Sequence, residues 1–561
     1  MGAVVGAGVG AHALGDLALG GPGAGAATAG ASSTGGLAGI DHVVVLMLEN
    51  RSFDNVLGWL YDPANPAPFD QVPAGQTFDG LSGKSLSNPV PGGGVAVPGR
   101  ETVLSNPNPD PGEVFDDVYA QLFDTTATPV PNRTDTPSMQ GFVDNYAAVL
   151  ASWNSTHSPQ VDPRIIMNGF GPEHVPALSA LAHGYAVCDH WYSSIPTQTY
   201  ANRSYLHAGT SSGYVNDVWK VGPEIWDVDI FLNDTDTIFN LLEAAGVSWN
   251  IYYGGSLAFC LSFLTQQKLQ PFATVDPATN RFWHMPQFYA DAAAGTLSSY
   301  TFIEPHFFSS LTYGPENDGH PPVNPIDIDG PSLLSRADKL VGDVYLALRN
   351  SPTWDRTLFV ITFDEHGGTY DHVPPPLTVR PDDVVVPADQ PGGSGFEFGR
   401  LGCRVPTIIV SPLVEQGRVV NTAFDHTSII KTVVNCFDVR DGNGDPATLL
   451  AREAAAADVS GAITLTTPRT DAVDIPFEEP PAFDGTVPRA LSGLQSDIVA
   501  TAAALLERRG VPLPYHWTYI TTTQQATDEL DARIEGLRVG ASPAGTAPPA
   551  VATPVQPRFT G

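Results

Sequence analysis

The chain of 561 residues carries 27 basic against 60 acidic side chains, a formal net charge of −33. That balance excludes a nucleic-acid binder, because nucleic-acid phosphates demand clustered Lys and Arg, and it disfavours simple electrostatic docking on anionic lipid. With 42% apolar and 9% aromatic residues there is material for a substantial core, and an anionic substrate needs local Arg, Lys, His or metal to overcome the long-range repulsion.

Residues 1–36 are mostly Gly and Ala and contain no Lys or Arg. The basic start of a secretory signal is missing, although Ala3–Gly10 resembles part of an apolar signal core. A clipped signal and a disordered Gly/Ala tail are the two readings. The first implies a secreted or periplasmic protein, with a cytoplasmic one as the alternative. No run of eighteen strongly apolar residues occurs elsewhere, so no membrane span is expected. Cys188, Cys260, Cys403 and Cys436 are widely separated. No thiolate zinc site is expected from them, and disulfides and buried free thiols both remain open. Oligomeric state is not legible.

Ile40–Leu48 is a nearly unbroken apolar run that ends abruptly in Glu49-Asn50-Arg51-Ser52. Such a run predicts a strand buried on both faces, with a polar cluster at its carboxyl end, where open α/β sheets bind ligands. A short helix is expected from Ser52. Residues 61–135 are rich in Pro, Gly, Asn and Asp and read as a long irregular excursion of the kind that lines a site or covers it. Helical spacing recurs at Val114–Leu122, Gly141–Ser152 and Val175–His183. Tyr185–Tyr192 reads as a strand. It is followed by a helix through Leu206, with Thr199 near its amino end, where free N–H groups favour an anion. Arg203, four residues on, is suited to bidentate contact with that anion.

Helices at Ile238–Ala245 and Leu333–Arg349 alternate with strands at Ser248–Tyr253, Tyr300–Glu304 and Thr357–Phe363. The last delivers Asp364-Glu365-His366-Gly367-Gly368-Thr369-Tyr370-Asp371-His372 at its end, a repeat of the arrangement at residues 40–50. Val405–Val410 is a further strand, and Phe424–Ser428 precedes an apolar helix, Ile429–Val434. The alternation predicts an α/β fold, a mostly parallel central sheet with helices on both faces, over residues 37–440. An accessory region with helices at Leu491–Arg508 and Thr523–Leu537 occupies 441–539, and a Pro/Ala/Gly/Thr-rich tail 540–561.

Glu49, Asn50, Asp364 and Glu365 are hard oxygen donors at two strand ends and suit a divalent cation of unspecified identity. Five acidic or imidazole side chains, Asp364, Glu365, His366, Asp371 and His372, crowd residues 364–372, beside glycines that allow close backbone approach, and such crowding calls for a cation. Thr199 is a candidate nucleophile if a metal activates its hydroxyl. His320, His366, His372 and His426 are candidate proton donors to a leaving oxygen. Each taken singly also fits a structural role.

The segments E-N-R-S-F-D-N-V-L-G-W (49–59), T-Y-A-N-R (199–203), N-D-G-H-P (317–321), D-E-H-G-G-T-Y-D-H-V-P-P-P (364–376) and D-H-T-S-I-I (425–430) together resemble the phosphoesterase family. That family holds bacterial and plant non-specific phospholipases C and an acid phosphatase branch, and is related in fold to alkaline phosphatases. The resemblance implies that Glu49, Asn50, Asp364 and Glu365 hold the metal centre and that Thr199 becomes phosphorylated, with Thr197 as the substitute if the register is misread. It implies that His320, His366 and His372 serve the phosphate or leaving group. Asn202, Arg203 and His426 then belong to the substrate side, and Asp371 and His426 are supporting members. Relatives usually carry Pro where this chain has Ala201. The region after residue 440 is short and lacks the β-rich domains of the large haemolytic phospholipases. The expected activity is therefore a metal-dependent phospholipase C reaction on phospholipid, through a phosphothreonine. A broad phosphomonoesterase acting on small phosphate esters is the alternative, and a non-catalytic binding protein on this fold is a third, distant reading.

Overall fold

The apolar runs become the centre of an eight-stranded sheet in the computed structural model. Its strands, in chain order, are β1 (His42–Leu48), β2 (Ala186–Cys188), β3 (Trp249–Tyr253), β4 (Phe282–His284), β5 (Tyr300–Glu304), β6 (Thr357–Phe363), β7 (Thr407–Val410) and β8 (Arg418–Val420). They lie in the order β4-β3-β5-β1-β6-β7-β2-β8. All run parallel except β7, which is antiparallel to both neighbours. Every residue of β6 is buried, as is β1 after His42. Both faces of the central strands are therefore covered, the condition under which a strand can be apolar without alternation.

The structure describes residues 36–124, 130–156, 159–220, 228–230, 235–255, 258, 281–322, 334–388, 393–476, 479–480, 482, 491, 493–508 and 517–538. The Gly/Ala segment to residue 35, Cys260 and the tail from 540 lie outside them. Residues 33–561 cluster as one compact unit. No described helix is long and apolar enough to cross a membrane.

The helices are α1 (Phe53–Val56), α2 (Phe115–Phe123), α3 (Phe142–Thr156), α4 (Pro176–Gly184), α5 (Thr199–Ala208), α6 (Ile238–Ala245), α7 (Met285–Ala294), α8 (Leu334–Arg349), α9 (Thr427–Cys436), α10 (Ala451–Ala455), α11 (Gly493–Arg508) and α12 (Thr523–Arg538). α8 packs against α4 and α7, and α5 against α6 and α9. The region after residue 440 packs on this body. Arg452 of α10 donates to the carbonyls of Val379 and Ser194 at 2.7 and 2.6 Å, and Gln495 of α11 donates to the Phe307 carbonyl at 2.6 Å. Cys188, Cys403 and Cys436 are buried free thiols, and burial pushes all three up.

Register decides where the polar residues meet. Leu48 of β1 stands beside Phe363 of β6, so Glu49 and Asp364 emerge side by side from one sheet edge. β5 ends at the same edge and leads to Asp318 and His320, and β2 leads to Thr199. Because β7 runs the other way, it begins where β6 ends, and Arg404 just before it joins this edge.

Candidate active site and metal centre

β1 breaks into its polar turn through Asn50, whose φ of 52° lies in the left-handed region that few residues other than glycine adopt. The turn is locked from the second strand end. The Asn50 backbone N–H donates to Asp364 Oδ1 at 3.1 Å, and the Ser52 N–H to Thr369 Oγ1 at 2.9 Å. The Ser52 hydroxyl donates to the Tyr370 carbonyl at 2.6 Å and also accepts the Asn55 N–H that caps α1. The two strand-end loops also approach closely at Gly367 (φ 57°), where an added Cβ would lie 2.2 Å from the Asn50 carbonyl oxygen. Only glycine fits there.

Thr199 is the first residue of α5 and is fully buried. Its hydroxyl donates toward Glu49 Oε2 at 3.3 Å and Asn50 Oδ1 at 3.4 Å. Arg203, one turn on, sends Nε to Glu49 Oε1 at 2.7 Å and to Asp364 Oδ2 at 3.3 Å, with Nη2 against the same Glu49 carboxylate. Asp364 Oδ1 also receives the Glu365 N–H at 2.8 Å, and Glu365 Oε2 receives the Gly367 N–H at 2.7 Å. Glu365 Oε1 is buried without a partner. Thr199, Glu49, Asn50, Asp364, Glu365 and Arg203 thus form one contiguous group.

The electrostatics of this group favour a cation. Burial pushes the Glu49 carboxyl well up, and Asp364 adds to the rise although Arg203 opposes it. Burial and then Asp364 do the same to Glu365. Spacing agrees: oxygens bound at right angles to one hard cation, each at about 2.3–2.4 Å, lie about 3.3 Å apart, and Thr199 Oγ1 stands 3.3 and 3.4 Å from Glu49 Oε2 and Asn50 Oδ1. The residues present therefore fit a divalent ion held by Glu49, Asn50, the Thr199 oxygen and the acidic pair 364–365.

The other expected residues separate. Asn202 turns back on the loop before α5: its Oδ1 accepts the Ile195 N–H at 3.0 Å and its Nδ2 donates to the Thr197 carbonyl at 2.7 Å. It fastens the turn that carries Thr199. Thr197 donates to the Val215 carbonyl at 2.5 Å. His426 precedes α9, with Nε2 at 2.6 Å from the Asp364 carbonyl and Nδ1 at 3.3 Å from the Trp191 indole N–H. That pair of partners fixes a neutral tautomer, and burial pulls the ring's pKa down. His366 lies against Phe142, with Nε2 2.8 Å from Gln121 Oε1, and burial lowers it to about 3.

His372 joins a separate charged cluster. Its Nδ1 is 2.6 Å from Asp54 Oδ2 and its Nε2 3.2 Å from Asp79 Oδ1. Arg404 grips Asp371 and Asp54 at 2.6 and 2.9 Å through Nη2. His320 is linked to Thr199 through Glu113 and Asn50. It lies beside Asp110 and Glu113, and Glu113 Oε2 accepts the Asn50 side-chain N–H at 2.7 Å. Burial would lower His320, but Asp110, Glu113 and Asp318 outweigh it and push the ring up to about 9. Asp110, Glu113 and Arg404 were not singled out from the sequence. The first two lie in the Pro/Gly-rich excursion, where no periodicity marks them, and only the expectation that this loop lines the site pointed there.

A model of the Phosphoesterase family matches residues 40–440. Non-specific phospholipase C3 of Arabidopsis thaliana is 34% identical over 499 residues, covering 83% of this chain and 82% of the relative. Phospholipase C A of Mycobacterium tuberculosis is 27% identical over 471 residues, covering 77% and 79%. Among solved structures, a protein in the alkaline phosphatase superfamily from Vibrio parahaemolyticus aligns with 52% of this chain and 64% of its own, at 12% identity and a TM-score of 0.30.

Proposed function

We propose that this chain, which belongs to the phosphoesterase family and hydrolyses phosphoric ester bonds, is a phospholipase C that cleaves phospholipids through a covalent phosphothreonine on Thr199. The single observation that supports the nucleophile is the buried Thr199 hydroxyl at the start of α5, 3.3 Å from Glu49 Oε2. The phospholipid reading is supported by the names of the relatives, phospholipases C from a plant and a bacterium.

In this reading Thr199 Oγ attacks phosphorus and gives its proton to a neighbouring carboxylate. The bond from phosphorus to the glycerol oxygen breaks, and diacylglycerol leaves once that oxygen is protonated. Water then attacks the phosphothreonine, releases the phosphorylated head group and restores the hydroxyl. A divalent ion on Glu49, Asn50, Asp364 and Glu365 would supply positive charge that lowers the Thr199 hydroxyl pKa and offsets charge on the phosphoryl oxygens. Arg203 keeps Glu49 and Asp364 aligned and adds a buried cation. Asn202 holds the turn that presents Thr199, and His426 holds the Asp364 main chain. Thr199 opens α5, where the helix dipole favours an anion, although the Tyr200 N–H of that turn is already donated to Asp217 Oδ1 at 3.0 Å.

Thr199→Ala is expected to lower turnover by at least about a thousandfold, with an unchanged circular dichroism spectrum, while Thr199→Ser keeps measurable activity. Substantial turnover by the alanine variant, on phosphatidylcholine and p-nitrophenyl phosphate alike, would overturn the nucleophile. A clear preference for p-nitrophenyl phosphate would favour the phosphomonoesterase reading instead.

A further inference from the structure

We propose that Asp110, Glu113 and His320 form a second divalent-cation site, separated from the Thr199 centre by the side chain of Asn50. Each of the three offers a ligand atom within 4.8 Å of the other two. Two donors on one ion can lie no further apart than twice a metal–ligand bond of about 2.0–2.4 Å, so the three groups are close enough to share one ion after small side-chain adjustments. Two carboxylates and an imidazole suit Zn²⁺, Mn²⁺ or Fe²⁺ better than Ca²⁺.

Convergence of acidic groups alone would mean little, and His320 supplies the independent observation. Its residue is 7% exposed, and its Nε2 is buried without a hydrogen-bond partner. The other ring nitrogen, Nδ1, lies 2.6 Å from the Pro321 carbonyl. An imidazole that donates one N–H to a backbone carbonyl presents the other nitrogen's lone pair, and metal-binding histidines are held this way. Asp110 Oδ1 is likewise buried without a hydrogen bond, its nearest cationic atom being His320 Nδ1 at 3.8 Å.

The site is built from two loops that are pinned together. The Asp110 N–H donates to the Pro322 carbonyl at 3.0 Å, and the Tyr146 hydroxyl to the Pro109 carbonyl at 2.7 Å. The His320 N–H donates to Asp318 Oδ1 at 3.0 Å. Glu113 is fixed by Asn50 Nδ2, whose partner atom Oδ1 faces Thr199. Arg51 acts on Asp110 only from beyond ion-pair distance, its Nε being taken by the Gly319 carbonyl at 2.9 Å. The Asp54–Asp371–His372 set has comparable convergence, but Arg404 already fills it. Among the described residues no arginine or lysine makes an ion pair with the Asp110–Glu113–His320 set, and Glu113 Oε2 takes only the Asn50 amide.

The test is metal stoichiometry, which does not depend on any lipid assay. Full-length protein is stripped with chelator, dialysed to equilibrium against Zn²⁺ or Mn²⁺ and analysed by mass spectrometry. The expected result is two equivalents in the wild type, one in Asp110→Asn or His320→Gln, and one in Glu49→Ala. X-ray absorption gives the second readout: the Thr199 centre offers only oxygen ligands, so imidazole scattering seen in the loaded wild type and lost in His320→Gln comes from His320, whereas scattering that His320→Gln retains would overturn the assignment in favour of His372. One equivalent in the wild type, absence of imidazole scattering, or two equivalents retained by His320→Gln would each overturn the proposal. A His320→Gln variant that keeps both equivalents but loses the basic limb of the rate profile would assign Nε2 to proton transfer. Loss of lipid turnover in Thr199→Ala with two equivalents still bound would leave the site standing.

Discussion

Two buried arginines face the same sheet edge and do different work. Arg203 leaves the Glu49 Oε2 and Thr199 side open, whereas Arg404 saturates its neighbours. It pairs with Asp371 and Asp54, donates to the carbonyls of Asp79 and Asp189 at 2.8 Å each, and lies 4.5 Å over the Phe53 ring. Arg404→Met is expected to cost about 3–5 kcal/mol, because it strands two buried carboxylates; urea unfolding measures it. His372 sets a pH dependence. Burial would lower it, yet Asp54 and Asp79 push it up to about 9, above the unfolded value of about 6.5. Its contribution is therefore complete below pH about 6.5 and is lost as pH rises through about 9. The wild-type melting temperature is expected to fall across that window more steeply than that of His372→Gln, and equal slopes would refute the pairing. In the sequence His320, His366, His372 and His426 are alike, each beside acidic residues. What separates them is which ring nitrogen a carbonyl, amide or carboxylate has taken: His320 turns to the carbonyl of its own neighbour Pro321, whereas Gln121, Asp54 and the Asp364 carbonyl reach the other three rings only after folding.

Elements long enough to carry a period were legible. β1, β6, α8 and α9 lie where the apolar spacing puts them, and the parallel between the two strand ends survives as the Leu48–Phe363 register. β4 and β8 hold three residues each, too few for alternation to show. The antiparallel direction of β7 is a matter of sheet order, which Thr407–Val410 does not encode, so Arg404 could not be foreseen at the site. Gly367 shows how tightly the two strand-end loops depend on one another. Gly367→Ala meets the Asn50 carbonyl oxygen at 2.2 Å, so it must shift the turn that carries Glu49. It is expected to cost more than about 2 kcal/mol and most of the activity. Gly83→Ala, also at positive φ but with nothing within 4 Å, should cost only about 1 kcal/mol and leave turnover intact. Equal effects at both positions would mean that backbone conformation, and not loop-to-loop contact, sets the cost.

At the scale of the whole molecule, the phospholipase reading makes charge govern how the enzyme would meet a lipid surface. Burial tempers the net −33 without reversing it: arginines such as Arg203 and Arg404 are buried, but so are more numerous carboxylates, among them Glu49, Asp54, Asp364 and Glu365, and the exposed balance stays acidic. An anionic vesicle is repelled before any head group reaches Thr199, and the reach of that repulsion follows ionic strength: about 30 Å at 0.01 M salt and about 8 Å at 0.15 M. At low salt, turnover of phosphatidylcholine in vesicles that also carry phosphatidylglycerol is expected to be well below turnover in pure phosphatidylcholine vesicles. The gap should close as salt rises, because the substrate is the same and only the surface potential differs. The effect belongs in the apparent KM measured against lipid surface, with turnover at saturation unchanged, since screening alters encounter and not the buried chemistry. Faster turnover on the anionic vesicles at low salt would show that a local basic face overrides the global charge and directs docking.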